Sequence, residues 1–187
     1  RSSAASDVYK RQLITILWNN IHGGVVAGIG LMGMYALGES LNRRPYKKYL
    51  LTLVISAITL FINPWGYEYI KFLLMANTME RTHIVEWWGL FSKYHLFKQI
   101  PFKVFMLGSL AVESVYIFKN IKSEGIKQWY NNADKVKYIV LLSTLYLAIS
   151  HVKLLPFFAI ASVCFIYEDF YKLIGNVELP KWKDKAI

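Results

Sequence analysis

The sequence predicts an all-α fold, a polytopic membrane bundle of about five spans with one short interfacial helix. Three observations carry that expectation. The first is composition: of 187 residues, 55% are hydrophobic and 18% are charged, against about 45–50% and about 25% in soluble domains. The second is clustering. The apolar residues fall in blocks near the roughly 17–25 residues that a helix needs to cross a bilayer core, and five such blocks exceed what a soluble core of this chain length would bury. The third is charge placement. The net charge of +10 comes from lysines and arginines lying mainly between the blocks, where they read as topology signals. No DNA- or RNA-binding motif accompanies them, which argues against nucleic acid as a partner.

The elements follow in order. Residues 1–12, RSSAASDVYKRQ, are polar, lack the later pattern and read as an adapter or linker scar. On that reading the polypeptide proper starts near Leu13 and is the C-terminal membrane part of a longer protein, with the missing N-terminal half as its natural partner. Residues 13–174 are the transmembrane region. Leu13–Trp18 is a stub, and Val25–Leu41 is the first full span, with Gly28, Gly30 and Gly33 allowing close helix approach. Tyr49–Ile62 is the second span. It is stopped by Asn63-Pro64-Trp65-Gly66, where Asn caps, Pro cannot continue the helix and Gly permits the turn. Tyr67–Met75 reads as an amphipathic helix at the interface, with Tyr67, Tyr69, Phe72 and Leu73 toward lipid or protein and Glu68 and Lys71 outward. Pro101–Phe118, Val136–Ser150 and Pro156–Ile174 are the third, fourth and fifth spans, and residues 175–187 a cytoplasmic tail. The single Cys164 closes no internal disulfide and is expected as a small buried apolar residue.

Loop charges give the orientation. Segments 42–48, 119–137 and 172–187 hold thirteen lysines and arginines, whereas 63–103 and 151–155 hold six. The richer set belongs in the cytoplasm. Segments 18–24, 63–100 and 151–156 then face outward.

Those outward segments hold the chemistry-bearing residues. His22 lies in Trp18–Gly24 beside two glycines. It reads either as a hydrogen-bond donor or proton carrier in an exterior cavity, or as a satisfied His in a helix-start turn. Glu80, Arg81, His83 and Glu86 fall within seven residues. A carboxylate near His suits acid/base work; a solvated loop, or a substrate-facing Glu86 held near the bilayer by Trp87 and Trp88, are the other readings. A metal lacks a second His-rich motif. Lys153, after His151, reads as a phosphate partner or as a snorkelling cation. Inside the third span, Glu113 is a functional candidate by position and equally a hydrogen-bond partner for another span. Glu168 and Asp169 are expected to meet Lys172 or water. There is no Walker loop, G-x-S-x-G, H-E-x-x-H or dinucleotide fingerprint, so the residues identify no cofactor and no metal site.

Four motifs recur in one order: W-x-N-x-H-G-G at Trp18–Gly24, N-P-[YW]-G at Asn63–Gly66, an E-W pair at Glu86–Trp87, and basic-x-[IL]-P-x-F-A at Lys153–Ala159. Over roughly residues 13–174 they resemble a large bacterial family of polytopic membrane proteins of GT-C-type architecture, described as glycosyltransferase-like, near the family 39 type. The resemblance implies location in the bacterial inner membrane. It also implies transfer of sugar from a polyprenyl-phosphate donor at the outer face, with the bilayer and the lipid-linked sugar phosphate as partners. His22, Arg81, Glu86, His151 and Lys153 are then substrate-binding residues. The family's catalytic carboxylate lies in its first exterior loop, so the catalytic residue is expected upstream of this chain, and a divalent metal belongs, if anywhere, to the complete protein. Where relatives often carry Arg, this chain has Lys153, which keeps the charge and loses bidentate phosphate geometry. The alternative is a non-enzymatic polytopic membrane protein, a transporter or an envelope-assembly scaffold.

Overall fold

Apolar runs broken by Pro, Gly and Asn leave the backbone only helices to form, and every regular element among the described residues is helical. The structure is a computed structural model that describes residues 13–79 and 81–175. The expected scar, Glu80 and all of the expected tail after Gly175 lie outside the described residues.

Helix α1 covers 13–21. It is followed by α2 (Val25–Leu41), α3 (Lys47–Thr59), α4 (Tyr67–Thr78), α5 (Ile100–Glu124), α6 (Ile126–Asn132), α7 (Lys135–Ser150) and α8 (Leu155–Ile174). Two single-turn 3₁₀ helices, Val85–Trp87 and Val152–Leu154, sit in the connections. Local chemistry sets the limits. Pro101 and Pro156 occupy the first turns of α5 and α8, where a missing N–H costs nothing. Asp134 accepts a hydrogen bond from the Val136 N–H at 3.0 Å and caps α7. Gly125, at φ +83°, separates α5 from α6 in a conformation that side chains resist.

Among the described residues two helical stretches, Ile100–Glu124 and Val152–Ile174, are long and apolar enough to cross a membrane. The apolar α2 has 17 residues, α7 has 16 and α3 has 13, which correspond to about 25, 24 and 20 Å of helix.

The chain forms two compact units, one ending at Arg81 and one starting at Thr82. In the first, α2 packs on α3 through a seam of small and polar groups, with Thr52, Ser56 and Thr59 buried. Gly28 faces the Trp18 ring, which a Cβ would approach to 2.7 Å, and Gly33 lies near Leu53; Gly30 faces open space. Of the three glycines expected to allow close approach, Gly28 alone meets a neighbour too near for a Cβ. In the second unit α8 packs on both α5 and α7. Its core joins Leu90, Met106, Ala148, Leu155 and Phe158, lined by Phe102, Leu110, Leu145 and Val152. That core lies where α5 starts, α7 ends and α8 starts, and it brings the 82–99 segment against the α7–α8 turn.

Three sequence expectations are corrected. Cys164 is exposed, on the same face of α8 as the exposed Ile160 and Val163. Asp169 meets Lys137 rather than Lys172 or water, while Glu168 takes Lys172 at 3.2 Å. Lys103 and Lys137, counted as loop cations, are buried on α5 and α7.

Candidate functional site

The site grows from the end of α7. Its last carbonyls have no partner within the helix. Leu90 supplies one, its N–H donating to Ile149 O at 2.9 Å, and Val152 returns a bond to Trp88 O at 3.1 Å. This two-bond clasp lets the backbone of 88–90 lie directly on the α7 terminus. A Cβ at Gly89 would sit 3.2 Å from Ile149 O and 3.6 Å from Ser150 O, so glycine is what allows the approach.

The rest of the 82–99 segment is stiffened from beneath. Lys103, in the first turn of α5, donates to His95 O and Leu96 O, both at 2.7 Å. The buried His95 ring reaches Val85 O through Nε2 at 2.8 Å; a carbonyl only accepts, so Nε2 carries the proton. Trp88 Nε1 donates to Thr82 O at 3.2 Å, and its ring meets Tyr94 edge-on.

On this frame Trp87 becomes the centre of a small polar–aromatic cluster. The His151 ring stands edge-on to it at 5.3 Å, and the Lys153 ammonium lies 5.1 Å over its ring. His151 Nδ1 is 2.6 Å from Trp87 O. By the same reasoning Nδ1 donates there, which leaves Nε2 as the ring's other polar atom. His151 is half-buried and Lys153 exposed, and no carboxylate of the described residues pairs with Lys153. Glu86 is exposed one residue before Trp87. The cluster combines a cation, an imidazole of fixed tautomer and an aromatic face, the groups that suit a phosphorylated ligand bearing an apolar or sugar surface.

The first unit holds the remaining candidates. Asn19 and Asn20 of α1 donate to the terminal carbonyls beyond α3: Asn19 Nδ2 to Thr59 O at 3.1 Å, and Asn20 Nδ2 to Ile62 O at 2.9 Å. Asn63 closes the same end, its side chain donating to Leu60 O at 2.6 Å and accepting from the Trp65 N–H at 2.8 Å. Gly66 then turns the chain at φ +49°. Tyr69 donates to Asn19 O at 3.1 Å; burial raises its phenol above the ordinary value, so it remains a neutral donor. His22 is exposed, and its Nδ1 accepts from the Gly24 N–H at 2.8 Å, the geometry of a His that closes a helix-start turn. Arg81 donates to Ala76 O at 2.6 Å near the end of α4. Glu68 and Lys71 form an exposed pair at 2.7 Å, outward as expected, while Leu73 is buried.

Of the sequence-derived candidates, His151 and Lys153 are brought together around Trp87, with Glu86 adjacent. His22 and Arg81 belong to the other unit, where each is bonded to backbone. Sequence reasoning missed Gly89, His95 and Lys103. The W-W-G string was the one available hint for Gly89, since a glycine directly after two bulky aromatics marks a close backbone approach. Compared with family models, curated proteins and solved structures, the chain has no match in any of the three.

Proposed function

We propose that this chain is integral to the bacterial inner membrane and belongs to a GT-C-type, glycosyltransferase-like protein. In this reading α2, α3, α5, α7 and α8 are the five spans, and the Trp87–His151–Lys153 cluster faces outward. Support for immersion comes from the uncovered apolar surface: only 17% of the apolar stretch of α5 and 33% of that in Val152–Ile174 is buried. A core helix of a soluble protein would be mostly covered. The shorter helices span where the bilayer thins or flanking lysines snorkel.

The observation that carries the functional reading is the exposed Lys153 ammonium, held over Trp87 beside a His151 ring whose tautomer is fixed. A polyprenyl-phosphate sugar presents an anion at the headgroup level, an apolar tail below it and a sugar beside it. Lys153 takes the phosphate as a point charge, Trp87 covers an apolar face of the sugar, and His151 Nε2 with Glu86 accepts from its hydroxyls. In transfer, the acceptor oxygen bonds to the anomeric carbon as the bond from that carbon to the phosphate oxygen breaks. Lys153 stabilises the charge that gathers on the departing phosphate. The acceptor's hydroxyl proton passes to a carboxylate base, a role that no residue of this cluster is assigned.

Binding provides the test. The chain in lipid nanodiscs is titrated with a short-chain polyprenyl phosphate while tryptophan fluorescence is followed. Lys153→Ala weakens binding at least about tenfold, and Lys153→Arg restores it. Equal binding by the wild-type and Lys153→Ala proteins removes the donor-site assignment and leaves the non-enzymatic membrane protein as the reading.

A further inference from the structure

Some fourteen residues before His151, about 20 Å along α7, lies a second polar cluster that the headgroup reading does not use. Lys137 in the first turn of α7 donates to Glu113 Oε1 of α5 at 2.6 Å and also to Asp169 Oδ2 of α8. Lys137 and Glu113 are each 8% exposed and Asp169 is 5% exposed. The Tyr116 and Tyr138 rings lie 5.2 and 5.0 Å from the ammonium, and the Tyr138 phenol faces Glu113. From α8, Lys172 pairs with Glu168 at the cluster's edge. Among the described residues no other charged group pairs with it.

The charges do not balance. Two ammonium groups, Lys137 and Lys172, face three carboxylates, Glu113, Glu168 and Asp169. One negative charge remains, and the exposed Lys172–Glu168 pair cancels itself, so the excess resides in the buried trio. Glu113 Oε2 is in addition buried with no hydrogen-bond partner. An uncompensated buried charge and an unmatched buried acceptor are each costly, and the cost is greater in a bilayer. A hydrogen ion removes both at once. It cancels the excess and turns Oε2 from an acceptor without a donor into a hydroxyl donor. A metal ion fits poorly, because an ammonium already stands between the carboxylates and the described residues hold no group of three or more His, Cys, Asp or Glu suited to a metal.

We propose that Glu113, Lys137 and Asp169 form a one-proton binding site, in which Glu113 Oε2 holds a hydrogen ion taken from solution and Lys137 bridges the two carboxyl groups. The site depends on α5, α7 and α8 alone and stands whether or not the Trp87 cluster binds a lipid phosphate.

Infrared difference spectroscopy of the whole chain in nanodiscs at neutral pH reads the proton directly. The wild-type protein shows one protonated-carboxyl stretch that moves to lower frequency in D₂O. Glu113→Gln removes it. Asp169→Asn removes it too, because Lys137 and Glu113 then balance without a proton. Helical circular dichroism confirms that each variant folds, and the wild-type spectrum decides the matter even where one does not. The absence of a protonated-carboxyl band in the wild-type protein overturns the proposal, as does a band that persists in both variants.

Discussion

At its first turn α7 carries Lys137, buried and bonded to two carboxylates of neighbouring helices; beyond its last turn come His151 and Lys153, bonded or stacked on Trp87, with Lys153 exposed and paired with no carboxylate of the described residues. The first arrangement spends its charge internally. Lys137 is there the cation that both carboxyl groups share, and removing it strands them. The second leaves charge available, because its position is fixed by backbone bonds and a ring rather than by an opposing ion. A cation that shapes a helix bundle and a cation placed to meet a ligand thus differ in what holds them, and this difference predicts how each responds to mutation.

The largest effect belongs to the buried end. Lys137→Ala leaves two carboxyl groups facing each other without a cation, and breaking a buried ion cluster from one side costs about 3–5 kcal/mol. Denaturant unfolding of the chain in mixed micelles measures it. Removing all three charges together, as Lys137→Met, Glu113→Gln and Asp169→Asn, recovers most of the loss. If the triple variant is as unstable as the single one, charge compensation is not what holds that end.

At the clasp the effect is steric. Gly89→Val places branched carbons against the Ile149 and Ser150 carbonyls, and overpacking of this kind costs about 1–3 kcal/mol. Hydrogen exchange at the Leu90 and Val152 amides reports the clasp locally: both speed up while the amides in the middle of α7 keep their protection. His151→Ala comes next. It removes one hydrogen bond and one ring contact, together about 1–2 kcal/mol. His151→Gln, whose amide can donate to Trp87 O, returns part of that.

How far the sequence announced these arrangements depended on the range of the forces involved. Val25–Leu41 was legible to the residue, because Gly23-Gly24 and Asn42-Arg43-Arg44 punctuate an unbroken apolar run. The second span was read as Tyr49–Ile62, stopped by Asn63-Pro64, yet α3 runs from Lys47 to Thr59 and the chain is already turning at Leu60, three residues before Asn63. The third apolar block ended at Phe118 by composition, yet α5 runs on to Glu124, since Lys119–Glu124 are adequate helix formers and nothing breaks the helix before Gly125. Helix α6 was missed because it is only seven residues long: Ile126, Trp129 and Tyr130 fall at i, i+3 and i+4, but a single repeat does not stand out as a periodic signal. Long-range pairing was not legible. Trp87 and His151 meet across 64 residues, and Lys137 meets Asp169 across 32. Local reading assigns a cation beside an apolar block to the loop, which is how Lys137 and Lys103 came to be counted there. The motif residues were located, and what each one touches had to come from the packing.

Lys153→Ala has the smallest effect on stability and is the most decisive between the two ends. Its ammonium sits over Trp87 in solvent-exposed geometry, worth less than about 1 kcal/mol, so the midpoint of unfolding stays within error of wild type. Replacing a buried structural cation cannot do that, and Lys137→Ala is expected to give the opposite result. The same variant loses affinity for a lipid phosphate, because the charge it removes is balanced by no carboxylate among the described residues. Stability unchanged with binding lost identifies a cation placed for a ligand. Stability lost by several kcal/mol would mean that Lys153 supports the α7–α8 turn in the way Lys137 supports the opposite end, and the distinction between the two ends would collapse.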